Sequence, residues 1–255
     1  MTASAPDPEL RAAAALVFVE DLGSPWLCAQ DGHHLGEVLR LQAGEAVAAA
    51  DGAGSWRMCT FTVASAMRRS SGRASKETGF GLEGAGPVRH LERALPELEI
   101  GFSWAKAERT EWAVAKLVEL GVDTLTPLVA DRTVVRPDRE GTARREARLR
   151  RIVREAAMQA RRPLLPSLGS SVSLDAVLER LPGPEVALAE PGGGPVSLAS
   201  PVVLVGPEGG WTPRELALVE TKVSLGNGVL RVETAAVAAG VILSALRNMA
   251  VAPVS

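Results

Sequence analysis

Two glycine-rich loops in the second half of the chain have the composition of a ligand-binding site. Gly206-Pro207-Glu208-Gly209-Gly210 follows an apolar run, residues 201–205, that is typical of a buried strand. Gly226-Asn227-Gly228 follows a second strand-like run and precedes Arg231 and Glu233. Glycine allows the backbone to approach a ligand closely, and open α/β sheets bind ligands beyond the carboxyl ends of their strands. The pair of loops therefore predicts one small-molecule pocket.

The first loop differs from the known phosphate-binding loops. No Lys-Ser or Lys-Thr pair follows its glycines, so it is not a P-loop, and the G-x-G-x-x-G spacing of dinucleotide-binding proteins is missing. A helix is predicted to begin at about Pro213, because Thr212 can cap it and Glu215 stands three residues after that cap. The first loop therefore gives no support to a function in nucleotide hydrolysis.

The charge of the chain is unevenly distributed. Residues 132–162 contain eleven arginines and four acidic residues, a net charge of +7, whereas the whole chain carries −2. A smaller basic stretch, M-R-R-S-S-G-R-A-S-K, spans residues 67–76. A guanidinium group can donate two parallel hydrogen bonds to an oxyanion, so the bias towards arginine favours a polyanion such as a nucleic acid. A solvated helix face is the alternative interpretation.

Composition excludes several classes of protein. With 255 residues, of which 46% are hydrophobic, the chain can bury the core of one large or two ordinary domains. Its first residues do not resemble a signal peptide, and the longest apolar run near the start is too short for a membrane helix, so we expect a cytoplasmic protein with no membrane partner.

Cys28 and Cys59 are interpreted as buried apolar residues. His33-His34 with Glu37 lack further ligands within reach in the sequence, so no metal is predicted.

The order of the segments predicts an α/β protein with two domains. Residues 1–85 contain apolar runs at 14–19, 46–50 and 58–64 between polar turns, which is typical of a small antiparallel β domain. Residues 86–255 alternate between strand-like and helix-like segments, which indicates a parallel sheet. The predicted strands are 98–104, 122–129, 185–191, 201–206 and 223–226, and the predicted helices are 107–121, 142–160, 213 onward and 234–250.

Several motifs, in the same order along the chain, resemble one enzyme family. L-V-G-P-E-G-G-W-T-P-R-E-L-A-L-V starts at Leu204, and L-G-N-G-V-L-R-V-E-T-A-A-V-A-A starts at Leu225. H-H-L-G-E-V-L-R at residues 33–40, K-A-E-R-T-E-W at residues 106–112 and A-A-M-Q-A-R-R-P at residues 156–163 extend the pattern over nearly the whole chain. Together they resemble the 16S ribosomal RNA uridine-N3 methyltransferases, the RsmE family of the SPOUT superfamily.

The resemblance implies a fold and a reaction. Residues 1–85 would form a small PUA-like β-barrel that binds RNA, and residues 86–255 a SPOUT-type α/β domain with a carboxyl-terminal trefoil knot. S-adenosyl-L-methionine (SAM) would be the methyl donor. A homodimer would methylate the N3 atom of a uridine in the 16S ribosomal RNA of the small ribosomal subunit, where the target base must be single-stranded or extruded.

The resemblance, the basic charge of residues 132–162 and the chemistry of methyl transfer together suggest roles for individual residues. The residues expected to bind the cofactor are Leu204, Gly206, Pro207, Glu208, Gly209, Leu225, Gly226, Val229, Leu230, Arg231 and Thr234. The candidates for RNA binding are Arg40, Lys106, Arg109, Arg132, Arg144, Arg145, Arg148 and Arg162. As catalytic residues, Arg231 and Arg162 would favour the developing uridine anion, although such arginines can also form surface ion pairs. Glu233 would act as a general base or as a cap on the final helix. Trp211 is interpreted as a packing residue, and Trp56 could stack on RNA.

The chain departs from the family pattern at the second loop and before Arg162. Asn227-Gly228 replaces Pro-Arg, Val232 replaces Thr, and Met158 replaces Glu, so one basic side chain near the target base is missing. Two other functions therefore stay open. One is a non-catalytic RNA-binding or assembly protein on the same scaffold, and the other is a methyltransferase that acts on another RNA position or on a ribose hydroxyl.

Overall fold

The computed structural model describes residues 7–70, 73–133, 139–181 and 183–250, with the backbone alone for residues 64–70, 73–78 and 139. Within these ranges the chain divides into two compact units. The amino-terminal unit comprises residues 7–93 and 157–165, and the carboxyl-terminal unit comprises residues 94–156 and 166–250. Arg136 and Asp138 of the basic segment lie outside the described residues, as do Ser71 and Gly72 of the smaller basic stretch.

The amino-terminal unit is built on a five-stranded sheet, in which β1, β2, β3 and β4 are neighbours in that order and β5 also pairs with β3. Its elements are α1 (Pro8–Ala12), β1 (Ala15–Phe18), α2 (Ala29–His33) with a π-helical turn (His34–Val38), β2 (Ala46–Ala50), β3 (Ser55–Ser70), β4 (Arg73–Gly84) and β5 (Arg89–His90). The prediction of a purely antiparallel sheet is wrong for β1 and β2, which pair in parallel. A parallel pair needs a crossover connection, and α2 with its π-helical turn lies in that connection.

The core of the amino-terminal unit consists of apolar side chains from β1 to β4 and from the crossover connection. Phe61 of β3 is fully buried, and its ring stacks on Phe80 of β4 with centroids 5.7 Å apart. Gly36 lies where a Cβ atom would be 2.2 Å from the Phe80 ring, so the glycine permits this packing. Met158 packs against the same cluster. The Met158 departure from the family pattern therefore serves this core.

Residues 157–165 bind to the rest of the amino-terminal unit through hydrogen bonds that they donate to backbone carbonyls. Arg161 donates from Nε to the carbonyl of Ala13 (3.2 Å) and from Nη2 to that of Ala14 (2.6 Å). The backbone amide of Leu165 donates to the carbonyl of Gly52 over 2.9 Å. A segment distant in sequence is thus an integral part of this unit.

The carboxyl-terminal unit contains a six-stranded parallel sheet, which confirms the predicted α/β class. Its strands are β6 (Glu99–Ser103), β7 (Thr124–Leu128), β8 (Ser167–Leu168), β9 (Val186–Gly194), β10 (Val202–Val205) and β11 (Thr221–Val223). Their order in space is β11-β9-β10-β6-β7-β8. All residues of β6 and β10 are buried, as expected of central strands covered on both faces.

In the described part of this unit, five α-helices accompany the sheet: α3 (Ala107–Glu119), α4 (Arg139–Gln159), α5 (Leu174–Arg180), α6 (Pro213–Leu218) and α7 (Val232–Arg247). A short 3₁₀ turn (Gly183–Glu185) precedes β9. α3 ends at Glu119 and is closed by the predicted Gly121, whose φ of +91° suits the left-handed residue after a helix. α7 packs against α3, β6 and β10. Near its end, Arg247 forms a buried ion pair with Asp123, which precedes β7. This pair fixes the carboxyl end of α7 against the sheet.

The long elements follow the sequence predictions closely, with α4 and α7 each shifted by three residues or fewer at either end. The predictions missed α1, α2, α5, β4, β5 and β8, and they underestimated β3, which continues to Ser70. Cys59 is buried as predicted, but Cys28 is half-buried, because its Sγ accepts a hydrogen bond from the Asp31 amide at the start of α2. Among the described residues, each helix is too short or too polar to cross a membrane.

Candidate functional site

The two glycine loops line one pocket at the carboxyl edge of the parallel sheet, together with a third loop that the sequence did not reveal. The first loop follows β10 and the second follows β11. The third is the segment Ala189, Glu190 and Pro191 inside strand β9, and it is called the β9 loop below. β9 lies between β10 and β11 in the sheet. The pocket therefore occupies the edge at which α/β proteins bind small molecules.

The first loop owes its shape to Trp211. The indole ring is 4% exposed, and its Nε1 donates a hydrogen bond to the carbonyl of Ala189 over 3.1 Å. A Cβ atom on Gly206 would lie 2.8 Å from this ring, so glycine is needed there for packing. Trp211 is thus the packing residue that the sequence indicated, and it links the β10 loop to the β9 loop.

The helix after the first loop begins as predicted. The Thr212 side chain accepts a hydrogen bond from the Glu215 amide (3.3 Å), and Glu215 accepts one in return from the Thr212 amide (2.8 Å), which completes the capping box. Glu215 is 1% exposed and also accepts from the amide of Asp131, over 2.9 Å. The capping residue therefore ties the loop to the segment that follows β7.

The second loop is the more open wall of the pocket. A Cβ atom on Gly226 or Gly228 would meet no atom within 4 Å, and Val229 is 94% exposed. Ser224 donates a hydrogen bond to the carbonyl of Gly226 over 3.1 Å, which holds the start of the loop. Arg231 is the exposed residue immediately before α7, and its side chain makes no capping hydrogen bond. In the chain, Arg231 lies between Leu230 and Val232, which both line the pocket.

Glu233 in the first turn of α7 is buried, with 8% of its surface exposed. Its Oε1 lies 3.5 Å from Nε of Arg109 on α3, and its Oε2 is buried without a hydrogen-bond partner among the described residues. The adjacent helix terminus favours a negative charge at this position. The geometry places Arg109 beside this carboxylate, where it balances the charge of Glu233.

The residues predicted to bind the cofactor fall into two groups. Those that line the pocket are Gly206, Pro207, Glu208, Leu225, Gly226, Val229 and Leu230. Leu204, Gly209, Arg231 and Thr234 lie next to lining residues: Leu204 is fully buried in β10, and Thr234 is exposed on α7. The sequence missed Ala189, Glu190, Pro191, Ser224, Trp211, Val232 and Ala235, which also line the pocket. The proline and glycines after Glu190 were the signal that could have found the third loop.

The candidate RNA-binding residues are distributed over both units. Arg40 is exposed in the amino-terminal unit with a φ of +57°, and Arg162 belongs to the same unit. Lys106 is exposed at the start of α3. Arg132 donates to the carbonyl of Gly209, so it supports the first glycine loop.

On α4, Arg144 lies 3.7 Å from Glu140, whereas Arg148 forms two hydrogen bonds with Glu111 (3.1 and 2.8 Å). The Glu111 carboxylate raises the pKa of Arg148.

Two other sequence hypotheses concern Trp56 and a metal. Trp56 is only 2% exposed, and the Arg89 guanidinium carbon lies 5.2 Å from the centre of its ring. The hypothesis that Trp56 stacks on RNA is therefore wrong, because its face is covered. Within the described parts of the chain, no cluster of three or more histidine, cysteine, aspartate and glutamate side chains has a geometry that would hold a metal ion.

Comparison with known proteins decides the family. A model of an RNA methyltransferase domain matches residues 92–244, and a model of an RNA methyltransferase PUA domain matches residues 27–66. The chain is similar to the ribosomal RNA small subunit methyltransferase E of Synechocystis, with 32% identity over 231 residues that cover 84% of this chain and 70% of that protein. This chain belongs to the ribosomal RNA small subunit methyltransferase E family.

Two further relatives extend the comparison. The small subunit methyltransferase E of Mycobacterium bovis is 30% identical over 232 residues, which cover 82% of this chain and 81% of that protein. A Legionella pneumophila structure, described as a methyltransferase with the cofactor SAM bound, has 26% identity and a TM-score of 0.71, and the match covers 90% of this chain and 96% of that one. The chain thus shares its sequence pattern with methyltransferase E proteins and its fold with the Legionella methyltransferase structure.

The departures from the family pattern lie in different places. Gly228 and Val232 line the pocket, and Asn227 lines an open groove beside it. Met158 instead packs in the core of the amino-terminal unit. Only the departures in the second loop and at the start of α7 therefore alter the candidate site.

Proposed function

We propose that this chain is a SAM-dependent methyltransferase that modifies the N3 atom of a uridine in the 16S ribosomal RNA of the small ribosomal subunit. The observation that carries the proposal is the pocket at the carboxyl ends of β9, β10 and β11, which brings together loops distant in sequence. Membership of the ribosomal RNA small subunit methyltransferase E family supports the substrate class.

The residues of the pocket fit SAM. Leu225, Leu230 and Ala235 offer apolar surface for an adenine ring, and the open positions at Gly226 and Gly228 leave backbone groups accessible. The carboxylates of Glu190 and Glu208 stand on the opposite loops and give the lining a negative charge, which suits a cationic ligand. We assign the methyl donor to this pocket, with these loops as its binding residues.

When bound, SAM supplies a methyl group on a positively charged sulfur, which keeps the electron pair of the broken bond and leaves as a neutral thioether. The demand on the chain therefore falls on the acceptor. The uridine N3 must release its proton to solvent water so that its electron pair can form the new N–C bond, and a nearby cation favours the resulting anion. Arg231, exposed beside the pocket, serves this role, and Arg162 is the second candidate. Glu233 is assigned a structural role at the start of α7, because its Oε1 pairs with Arg109.

The test is a single-turnover transfer of labelled methyl from SAM to small ribosomal subunits that lack the modification, followed by mass spectrometry of the nucleosides. We expect the label in 3-methyluridine. Label on a ribose oxygen or on another base would indicate a methyltransferase for a different position. SAM binding without any transfer would favour a non-catalytic RNA-binding or assembly protein.

We further propose the finer architecture that the family resemblance implies. The amino-terminal unit acts as a PUA-like β-barrel for RNA, and the carboxyl-terminal residues pass through a trefoil knot. Two copies form a homodimer in the cytoplasm. The 94% exposure of Val229 beside the pocket and the 44% exposure of Val241 on α7 support a partner surface there. Light scattering should give twice the chain mass of 26.7 kDa, and a single-chain mass would contradict the dimer.

A further inference from the structure

A second cavity lies between α3 and α4 of the carboxyl-terminal unit, separate from the pocket of the glycine loops. Its apolar lining consists of Trp104, Ala107 and Leu149, and its basic lining consists of Arg144, Arg145 and Arg148. An apolar floor beside three guanidinium groups is suited to an anion whose neighbouring groups are apolar or aromatic. The three arginines are not equivalent, because their charges are balanced to different extents.

Arg148 is already paired with a carboxylate. Its Nε and Nη2 donate to the two carboxylate oxygens of Glu111, over 3.1 and 2.8 Å. This bidentate pair neutralises Glu111, which also lines the cavity, and so removes the acidic group that would repel an anion. Arg148 thus prepares the cavity, while its own fork is used by the carboxylate.

Arg145 is held in place by an aromatic ring, but its Nη1 has no hydrogen-bond acceptor among the described residues. Its guanidinium carbon lies 5.8 Å from the centre of the Trp104 ring, in a cation–π contact. Its Nη1 is buried without a hydrogen-bond partner among the described residues. A buried donor of a charged group without an acceptor is costly, so an external acceptor would remove a destabilising feature of the free protein.

The ring under Arg145 is fixed by a chain of hydrogen bonds. Trp104 Nε1 donates to Oγ of Ser171 over 2.7 Å, and the Ser171 amide donates to Glu146 over 2.8 Å. Glu146 is the buried residue that follows Arg145 on α4. Trp104 and Arg145 therefore form a preorganised surface.

The second cavity opens at the same sheet edge as the proposed cofactor pocket. Trp104 directly follows β6, and Gly206 directly follows β10. β6 and β10 are parallel neighbours, with Phe102 paired to Val205. An RNA strand that presents one base at the first pocket would therefore run along the sheet edge towards the second cavity.

We infer that this cavity binds a phosphodiester group of the substrate RNA, with Arg145 as its principal donor and Arg144 as a second cation. The identity of the anion as RNA rests on the proposed function. In this proposal the Nη1 of Arg145, which has no acceptor among the described residues, donates to a phosphate oxygen that enters the cavity, and Arg148 stays with Glu111. The cavity is thus a phosphate subsite next to the site of methyl transfer.

The experiment measures binding of a single-stranded oligouridylate to the full chain over a range of salt concentrations. Each phosphate contact contributes about 0.7 to the slope of log affinity against log salt for a single strand. Arg145→Gln should lower that slope by about 0.7, whereas Arg151→Gln should leave it unchanged. Arg151 is the matched control, since it lies on α4 and is paired with Glu155 at 3.4 Å. Arg145→Lys should keep the slope but lower the affinity, because lysine keeps the charge without the planar fork.

Two further arms make the result decisive. Inorganic phosphate should compete with the oligouridylate only weakly, and strong competition would instead indicate a site for free phosphate. Calorimetry should give the same SAM affinity for Arg145→Gln and the unaltered chain. Equal changes of slope in Arg145→Gln and Arg151→Gln, or no RNA binding by the unaltered chain, would overturn the inference. RNA binding that depends on Arg145 without methyl transfer would contradict the proposed function alone.

Discussion

Nη1 of Arg132 donates hydrogen bonds to two carbonyls of the first glycine loop, that of Gly209 at 3.0 Å and that of Trp211 at 3.3 Å. The sequence indicated a phosphate contact for this arginine. In the structure it joins the segment after β7 to the loop after β10, alongside the hydrogen bond from the Asp131 amide to Glu215. The shape of one wall of the pocket therefore depends on residues that do not line it.

Arg132→Ala should weaken SAM binding by about five-fold, because the loss of a hydrogen bond from a largely exposed cation costs about 1 kcal/mol. Arg132→Lys should recover part of the loss, since an ammonium group can reach one carbonyl. Calorimetric titration with SAM is the measurement. Arg151→Ala, which removes an equal charge from α4, where Arg151 pairs with Glu155, is the control and should bind normally. Unchanged affinity in Arg132→Ala would show that the loop keeps its shape without this contact.

Gly206→Ala should destabilise the fold by about 1–3 kcal/mol, because its Cβ atom would lie 2.8 Å from the Trp211 ring. The same change at Gly228, where a Cβ atom meets nothing within 4 Å, should leave stability unaltered. Urea unfolding followed by tryptophan fluorescence compares the two variants. Equal midpoints would mean that Trp211 can move aside.

Arg231→Ala should lower the rate constant of methyl transfer far more than it lowers SAM affinity. The reason is that the negative charge on the uridine develops mainly in the transition state. Single-turnover kinetics with undermethylated small subunits gives the rate, and calorimetry gives the affinity. A parallel loss of both quantities would instead make Arg231 a cofactor anchor.

The acid stability of the chain should depend on Asp175. Hydrogen bonds from Arg214 hold the pKa of this carboxyl below its ordinary value, so the interaction stabilises the fold at neutral pH and is lost as the pH falls through the lowered pKa. Wild type should be more stable than Asp175→Asn above about pH 5, near the upper end of the ordinary range for aspartate, and the difference should vanish in stronger acid. Urea unfolding at several pH values measures this difference. A constant difference between the two proteins would contradict the assignment.

The two cysteines should differ in reactivity. Burial raises the pKa of the Cys59 thiol, and that residue is 1% exposed, so it should react with a maleimide only after unfolding. Cys28 is half-buried and should react in the native protein. Mass spectrometry should find one label per native chain and two per unfolded chain. Native labelling of Cys59 would require the sheet of the amino-terminal unit to open.

The helices with a regular apolar spacing, and their starts and ends, were predictable because the local sequence decides them. The capping box at Thr212 and Glu215 and the stop at Gly121 follow from the chemistry of a few neighbouring residues. The parallel pairing of β1 and β2 was not predictable in this way, since it depends on a crossover between residues distant in sequence.

In the candidate site too, the features set by local sequence were predictable, and those set by the packing of distant segments were not. Each glycine loop was visible after its own strand, and the structure brings both into one pocket. The β9 loop and the support from Arg132 escaped notice, because both depend on which strands become neighbours. Arg144, Arg145 and Arg148 looked alike in sequence, but their different partners became visible only with α3 and Trp104 in place.

The discontinuous amino-terminal unit also has a consequence for synthesis on the ribosome. Its first stretch, residues 7–93, emerges well before residues 157–165, which supply the Arg161 hydrogen bonds to the carbonyls of Ala13 and Ala14. Amino-terminal domains ordinarily fold first as the chain is made. Here the nascent unit must wait until more than half of the protein has been translated, so an early translational pause would leave it without its closing segment.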